Sequence, residues 1–578
     1  MSTKPELQTA IDTYLSWEKN ETALAEAKEF IKNAQPDELE KYFCVRTRMA
    51  PGLTALNHLT IVQLSHGLAK YLQEVHKKPE KLSIVIGYDG RHRSAEFAKD
   101  AASVFIRNGI NVNLFTKVVP TPVVSFATPF LKCDAGLMIT ASHNPKQDNG
   151  YKAYWSNGAQ IVAPHDVNIC KLAFDGSAPN PEYFDWSVVS QSQNVDYVLD
   201  EYIKSEAKLC RYAEANAKTK LKFTYSAFHG VGYESAKKMF DAFRFPEHSI
   251  VPVKEQCTPD PNFTTVSNPN PEEGVRVLGP CFKVAEQNAS TVVLVNDPDA
   301  DRIQVAEFQE TGEWRAFTGN EMGVILTWWT WKHFQEENPN ADLTNVYILN
   351  SAVSSQFART LSKTAGFQHD VALTGFKWIG NLAHQLRSEG KNVILGWEES
   401  IGYMPGTTLD KDGVSVAAVF AEIANYLNEK GLKLSDQLFE IFKTYGFHLT
   451  RNSYFIVPSK DVIRQVFEKR SRNPPTTING HKIDEIRDLT VYATKKTSKL
   501  PSSATSPMIT YTLSTGSIIT LRASGTEPKL KYYIELVSST GIEKNDVKKV
   551  YDQLDELENA VINELLTPSE FGLIAREK

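Results

Sequence analysis

The feature that most constrains this chain is a repeated local grammar: a short apolar run, a polar or glycine-bearing turn at its end, then a helical pattern. Lys81-Leu-Ser-Ile-Val-Ile-Gly87 is one such run, and residues 94–108 follow it as an amphipathic helix. Residues 112–115, 135–139, 291–295 and 345–349 repeat the strand pattern. Strands separated by helices imply mixed α/β domains with parallel or mixed sheets. Open sheets of this kind leave a crevice beyond the carboxyl ends of their strands, where ligands bind. The chemically loaded stretches of this sequence fall at such ends.

One core cannot serve 578 residues, so two to four domains are expected. Residues 5–41 read as helical. From about residue 445 the character changes to Asn473-Pro-Pro475, short strands and a terminal amphipathic helix over 544–566, which reads as a separate C-terminal domain. A hydrophobic fraction of 42% and a charged fraction of 23% are those of an ordinary globular protein. A net charge of -6 offers no basic field for a polyphosphate backbone, so nucleic acid is not an expected partner. The six cysteines are scattered without close pairs, which predicts reduced, mostly buried thiols. No apolar signal core or membrane-length run is present, and a cytosolic location is expected.

Four stretches carry chemistry. In Thr140-Ala-Ser-His-Asn-Pro145, Ser142 stands on a turn after a strand with His143 beside it, placed to act as nucleophile or phosphate carrier. A plain polar turn, with Ser142 and Asn144 bonding local backbone, is the competing reading. The flanking glycines of a hydrolase elbow are missing, which disfavours acyl-enzyme chemistry. In Asn296-Asp-Pro-Asp-Ala-Asp-Arg302, Asp297, Asp299 and Asp301 alternate, and three converging carboxylates repel unless a cation sits among them. Their hard oxygens favour Mg²⁺ over zinc, the spacing is not that of an EF-hand, and Arg302 could contact a phosphoryl group there. A solvated acidic turn is the alternative.

In Gly396-Trp-Glu-Glu-Ser-Ile-Gly402, Glu398 and Ser400 offer acceptors and a donor suited to sugar hydroxyls. Adjacent glutamates rarely face each other across a glycosidic bond, so glycosidase chemistry is not implied. Lys411, between Asp410 and Asp412, reads on its own as part of a charged turn. In Arg522-Ala-Ser-Gly-Thr-Glu-Pro528, an arginine, two hydroxyls and a glycine make a phosphate cradle without Walker A spacing.

Together and in this order, the four stretches resemble the α-D-phosphohexomutase family over nearly the whole chain. The resemblance implies four domains around a central cleft, three of related α/β fold with mixed sheets and a smaller α+β C-terminal one. The expected division is 1–205 with the phosphoserine loop and an N-terminal helical segment, 206–318 with the metal loop, 319–440 with the sugar loop, and 441–578 with the phosphate loop. It further implies a phosphosugar mutase acting through a phosphoserine at Ser142 and a bisphosphorylated sugar. Sugar 1-phosphate would be exchanged with the 6-phosphate of glucose or the 5-phosphate of ribose or deoxyribose. Glucose-1,6-bisphosphate synthesis and a catalytically weakened sugar-phosphate binder are the alternatives.

On this resemblance Mg²⁺ is held by phospho-Ser142, Asp297, Asp299 and Asp301, and glucose 1,6-bisphosphate or an equivalent primes the enzyme. Ser142, His143, Arg302 and Lys411 are the expected catalytic residues. Thr374, Gly375, Lys377, Glu398, Ser400, Arg522, Ser524, Gly525 and Thr526 are the expected substrate contacts. Small sugar phosphates are the expected partners, and a monomer the expected state. Asp89-Gly-Arg-His-Arg-Ser94 resembles a further family turn, and Thr374-Gly-Phe-Lys377 the loop that orients the sugar. One segment departs: where the family has Gly-Thr-Ala/Ser-Gly-Leu-Arg-Gly, residues 41–52 read Lys-Tyr-Phe-Cys-Val-Arg-Thr-Arg-Met-Ala-Pro-Gly, leaving Arg46 or Arg48 to stand in.

Overall fold

Helix formation near the N-terminus is interrupted where one carboxylate captures the backbone. α1 (Pro5–Trp17) and α2 (Glu21–Asn33) replace the continuous helical stretch expected there. Buried Glu18 accepts the N–H groups of Lys19, Asn20 and Leu59, and Asn20 Oδ1 accepts from Ala23 N at 3.0 Å, starting α2 afresh. The computed structural model describes residues 5–33, 48–77, 81–493, 498–503, 506–524 and 528–576, so the rest of that expected helix lies outside the described residues. The chain forms two compact units, Met1–Met322 with Gly375–Leu432, and Gly323–Thr374 with Lys433–Lys578.

In the first unit, β1 (Ser83–Tyr88), β2 (Asn111–Leu114), β3 (Ala135–Ile139), β4 (Tyr151–Trp155) and β5 (Gln193–Asn194) form one sheet in the order β4-β3-β1-β2-β5. Only β4 runs antiparallel, against β3. α3 (His58–Val75), α4 (Ser94–Arg107) and α5 (Thr121–Phe130) accompany it. Ile84, Ile86, Phe97, Phe105 and Leu137 belong to a single buried core. Every residue of β3 is buried, which is why it reads as an unbroken apolar run rather than an alternating one.

After α6 (Val198–Glu206) comes a second sheet, β6 (Phe223–Ser226), β7 (Ile250–Pro252), β8 (Val292–Asn296), β9 (Ile303–Phe308) and β10 (Trp314–Ala316), ordered β10-β9-β8-β6-β7. β8 and β9 are an antiparallel pair, so residues 297–302 form the loop between them. Further on, β11 (Val346–Ser351) and β12 (Gln368–Ala372) are a parallel pair in the second unit. α7 (Phe376–Ser388), the antiparallel pair β13 (Asn392–Glu398) and β14 (Gly402–Met404), and α8 (Gly413–Asn428) return to the first.

The C-terminal part of the second unit is an antiparallel sheet: β15 (His448–Ile456), β16 (Thr477–Ile478), β17 (His481–Asp488), β18 (Met508–Leu513), β19 (Ile518–Ala523), β20 (Lys529–Val537) and β21 (Ile574–Ala575). Their order is β16-β17-β18-β19-β20-β15-β21. The expected terminal helix is α9 (Val547–Ala560), which buries Val550, Leu554 and Leu557 and continues as a π-helical turn to Leu566. The fold class is therefore the one expected: mixed α/β sheets, then a distinct antiparallel C-terminal one.

None of the five described cysteines is in a disulfide; Cys133 and Cys281 are buried, while Cys170, Cys210 and Cys257 are only half-buried. No described helix is long and apolar enough to cross a membrane. A Cβ at Gly67 of α3 would lie 2.6 Å from Ala173 N and from Ile169 O. Gly67→Ala should therefore overpack this contact, cost about 1–3 kcal/mol and lower the melting temperature measured by circular dichroism. An unchanged melting temperature would contradict the close approach.

Candidate functional site

The serine-bearing turn is built by a buried arginine. Ser142 leaves β3 with φ of 53°, in the left-handed region, and its N–H donates to Thr140 Oγ1 at 2.9 Å. The Arg91 guanidinium donates to the carbonyls of Ser142, Asn144, Pro145 and Asp148 at 2.5, 2.7, 3.0 and 3.1 Å. A planar fork of fixed donors suits this collection of carbonyls. Asp89 balances its charge, with Oδ2 at 3.2 Å from Arg91 Nε. That carboxylate also accepts from Ser94 Oγ at 2.6 Å and Thr140 Oγ1 at 2.7 Å. The 89–94 turn thus ties the end of β1 to the end of β3.

The β8–β9 loop brings a second set of groups to the same place. Asp297, Asp299 and Asp301 are fully buried and can each offer a carboxylate oxygen within 4.8 Å of the others. Tyr225 donates to Asn296 Oδ1 and Asn296 Nδ2 to Arg302 O, both at 2.6 Å, closing the base of the loop. Thr121 at the start of α5 donates through Oγ1 to Asp299 Oδ2 at 2.6 Å. Ser142 Oγ donates to Asp297 Oδ2 at 2.9 Å, so the serine and the aspartates share one site.

Lys152 of β4 places Nζ 2.7 Å from Asp299 Oδ2 and 2.9 Å from Asp301 Oδ2. Burial alone would depress its pKa, but the carboxylates of Asp299, Asp301 and Asp410 hold it well above the ordinary lysine value. Burial, together with the charges of Asp299 and Asp301, drives Asp297 well above the usual carboxylate range. Burial also works against Asp299, yet Lys152 and the hydroxyl of Thr121 bring it down to about 2. Asp299 Oδ1 and Asp301 Oδ1 are buried with no hydrogen-bond partner among the described residues. Two unpartnered hard oxygens beside a third carboxylate fit a divalent cation, which would relieve the repulsion on Asp297.

The other expected residues divide into those that join this centre and those that do not. His143 and Arg302 hydrogen-bond to each other across the two loops. Lys411 reaches Asp301 Oδ2 at 3.3 Å and Asp410 Oδ1 at 3.7 Å. Its stem passes so close to Gly402 that a Cβ there would sit 2.3 Å from Lys411 Cδ. Glu398 is buried; desolvation raises its pKa, while Lys411 and Arg302 lower it. Ser400 hydrogen-bonds Glu398 and is half-buried. Gly375, exposed with φ of 101°, precedes α7, and Lys377 on α7 pairs with Asp166 at 3.7 Å rather than with the aspartates.

Thr374, Arg522 and Ser524 belong to the second unit. There Arg522 is half-buried on β19, and Ser524 N donates to Lys529 O at 2.9 Å. Gly525 and Thr526 lie outside the described residues, as do Arg46 and the first part of the divergent 41–52 segment. The described part begins at Arg48, which is exposed; the next residue, Met49, donates its N–H to Gln147 O at 3.1 Å.

Sequence reasoning missed Lys152, Thr121 and Asp410 as parts of the centre, and gave Arg91 no role of its own. Asp410 Oδ2 accepts from Tyr154 Oη and Gln160 Nε2, both at 2.8 Å. The available signal was a lysine in a strand otherwise made of tyrosine, alanine and tryptophan, where burial would demand a carboxylate partner.

Comparison with known proteins resolves what such a centre belongs to. Residues 45–179, 200–310 and 318–445 match α/β/α domains I, II and III of phosphoglucomutase/phosphomannomutase, together more than half of the chain. This chain belongs to the phosphoglucomutase/phosphomannomutase family. Within the family it is 42% identical to a phosphopentomutase of Pongo abelii, over 97% of this chain and 96% of that protein. A glucose 1,6-bisphosphate synthase of Mus musculus is 39% identical, over 99% and 96%. Among solved structures, the open form of the Paramecium phosphoglucomutase pp63/parafusin shares the fold, with a TM-score of 0.64 at 17% identity, over 87% of this chain and 91% of that one.

Replacing Asp299 by Asn removes a charge from the cation donor set while keeping its shape. D299N should weaken Mn²⁺ or Mg²⁺ binding at least tenfold by isothermal titration calorimetry. Equal affinity would exclude the aspartates as the cation's ligands.

Proposed function

We propose that this family member is a phosphosugar mutase that works on pentose phosphates, moving a phosphoryl group between the 1- and 5-positions of ribose or deoxyribose. The hydrogen bond from Ser142 Oγ to Asp297, inside a cluster of buried carboxylates and cations, carries this reading. The name and near-complete coverage of the phosphopentomutase relative support the pentose choice. A second reading, synthesis of glucose 1,6-bisphosphate, is favoured by the 39% identity to the synthase over nearly the whole chain. Glucose phosphates are a further substrate of the same chemistry.

In this mechanism Ser142 Oγ carries the phosphoryl group between turnovers. The turn that Arg91 clamps keeps that oxygen projecting from the end of β3. Mg²⁺ is the cation suited to Asp297, Asp299 and Asp301 with a phosphoserine oxygen, and when bound it supplies charge neutralisation for the transferring group. Arg302 and His143, hydrogen-bonded to each other, lie between the two loops where they can meet phosphoryl oxygens. Lys411, held by Asp301 and Asp410, gives or takes the proton of the substrate hydroxyl. Glu398 and Ser400 receive the sugar hydroxyls. Arg522, Ser524, Gly525 and Thr526 are the proposed phosphate contacts, and Thr374, Gly375 and Lys377 the proposed contacts that orient the sugar.

After the serine has given up its phosphoryl group, the bisphosphorylated sugar turns round and returns the other one to Ser142. A sugar bisphosphate is accordingly the primer that first loads the serine. The proposed enzyme acts as a monomer. The cytosol is its proposed location, a reducing compartment that suits five described cysteines of which none is in a disulfide.

Ser142→Ala should reduce turnover of ribose 1-phosphate, supplied with bisphosphate primer and Mg²⁺, by at least 10⁴-fold in a coupled assay. Near-normal turnover would remove the phosphoserine mechanism. For the intact chain, kcat/KM with ribose 1-phosphate should exceed that with glucose 1-phosphate. The reverse order would replace the pentose assignment.

A further inference from the structure

The segment that carries Lys411 is gripped by a buried carboxylate which the chemistry above does not use. At the last residue of α6, Glu206 is 1% exposed. Its Oε1 accepts from Thr407 Oγ1 at 2.9 Å and Thr408 Oγ1 at 3.2 Å. Gly406 packs so tightly on it that a Cβ there would stand 1.7 Å from Glu206 Oε2. From the same helix, Ser205 Oγ is 3.3 Å from Thr407 Oγ1. On the other side Arg387 of α7 donates to Gly406 O at 2.9 Å and Thr407 O at 3.0 Å. Residues 406–408 are therefore fixed from two helices, a few residues before Lys411.

A second buried carboxylate closes the same segment. Asp412 accepts from Tyr202 Oη at 2.6 Å and from Ser415 N at 3.0 Å, all through Oδ1, and so caps α8. Asp412 Oδ2 is buried and has no hydrogen-bond partner among the described residues. Its charge acts on Glu206, one turn of α6 away from Tyr202.

We propose that Glu206 is a positioning residue for Lys411: its carboxyl group anchors residues 406–408 through the Thr407 and Thr408 hydroxyls, and ionisation, by adding a second buried negative charge beside Asp412, strains the segment that leads to Lys411. The proposal rests on the reading of Lys411 as the proton-transfer group. The charged and titratable groups facing Glu206 are Asp412, Tyr202 of α6 and Arg387 of α7, with the hydroxyls of Thr407 and Thr408. Burial first, and then the Asp412 charge, raise Glu206 to about 7, against the opposing hydrogen bonds of the two threonines. Because this carboxyl is raised in the fold, its charged form is the disfavoured one. Stability is then greatest below the ordinary glutamate range and falls as pH rises towards and through 7. The same titration would place the grip on Lys411 under control of pH near neutrality.

Glu206→Gln keeps the shape and the acceptor oxygen but cannot ionise. With ribose 1-phosphate, primer and Mg²⁺, wild-type kcat should fall at least threefold between pH 6.5 and 8.5, while E206Q stays flat and KM for the sugar changes little in either. Independently of activity, the wild-type melting temperature should drop more than that of E206Q over the same range. Parallel pH profiles in both measurements would overturn the proposal. If E206Q does not fold, Thr408→Val serves instead: loss of one hydrogen bond should shift the wild-type kcat profile, and an unshifted profile would overturn the proposal. An intact chain without mutase turnover at any pH would remove the underlying function, and the melting comparison would then decide the role of Glu206 by itself.

Discussion

The first unit depends on matching four buried carboxylates, Asp297, Asp299, Asp301 and Asp410, with cationic groups brought from separate stretches of chain. Lys152 comes from β4, Lys411 from the segment between β14 and α8, and the aspartates from the β8–β9 loop. An uncompensated buried charge costs several kcal/mol, so each contributor is secured where the others require it. Among the described residues two carboxylate oxygens of this cluster still lack a partner, and Asp297 is driven towards its neutral form. That shortfall in positive charge is what a divalent cation held by the aspartates would make good.

Around that cluster the backbone is tuned for placement. Ser142 adopts a left-handed conformation that a β-carbon disfavours, and Arg91 stabilises it by collecting four carbonyls of the same turn. Gly402 lets the Lys411 stem pass, and Gly406 lets Glu206 approach the segment before it. These close approaches belong to different elements, yet all bear on groups within reach of Asp301 or Asp297. Phosphoryl transfer asks for positioning and charge neutralisation above all, and the site is built of those two things.

Much of this was legible in the sequence because it is local. Buried strands such as β3 and β8 announce themselves as unbroken apolar runs, and the Asp297, Asp299 and Asp301 alternation states its chemistry in five residues. The pairing of Ser142 with Asp297 required the resemblance, since they are 155 residues apart. Lys152 and Asp410 were not legible, because what makes a lysine or an acid functional is the company it keeps across the fold. The break between α1 and α2 escaped for a similar reason: Glu18 reads as a helical residue until Leu59 supplies a distant donor.

The central claim is that Ser142 carries the phosphoryl group, and peptide mapping by mass spectrometry tests it most directly. After incubation with a sugar bisphosphate and Mg²⁺, the peptide spanning residues 140–145 should gain one phosphoryl group at Ser142 and lose it when excess ribose 1-phosphate is added. A phosphoryl group on another residue, or one at Ser142 that the sugar cannot remove, would contradict the account.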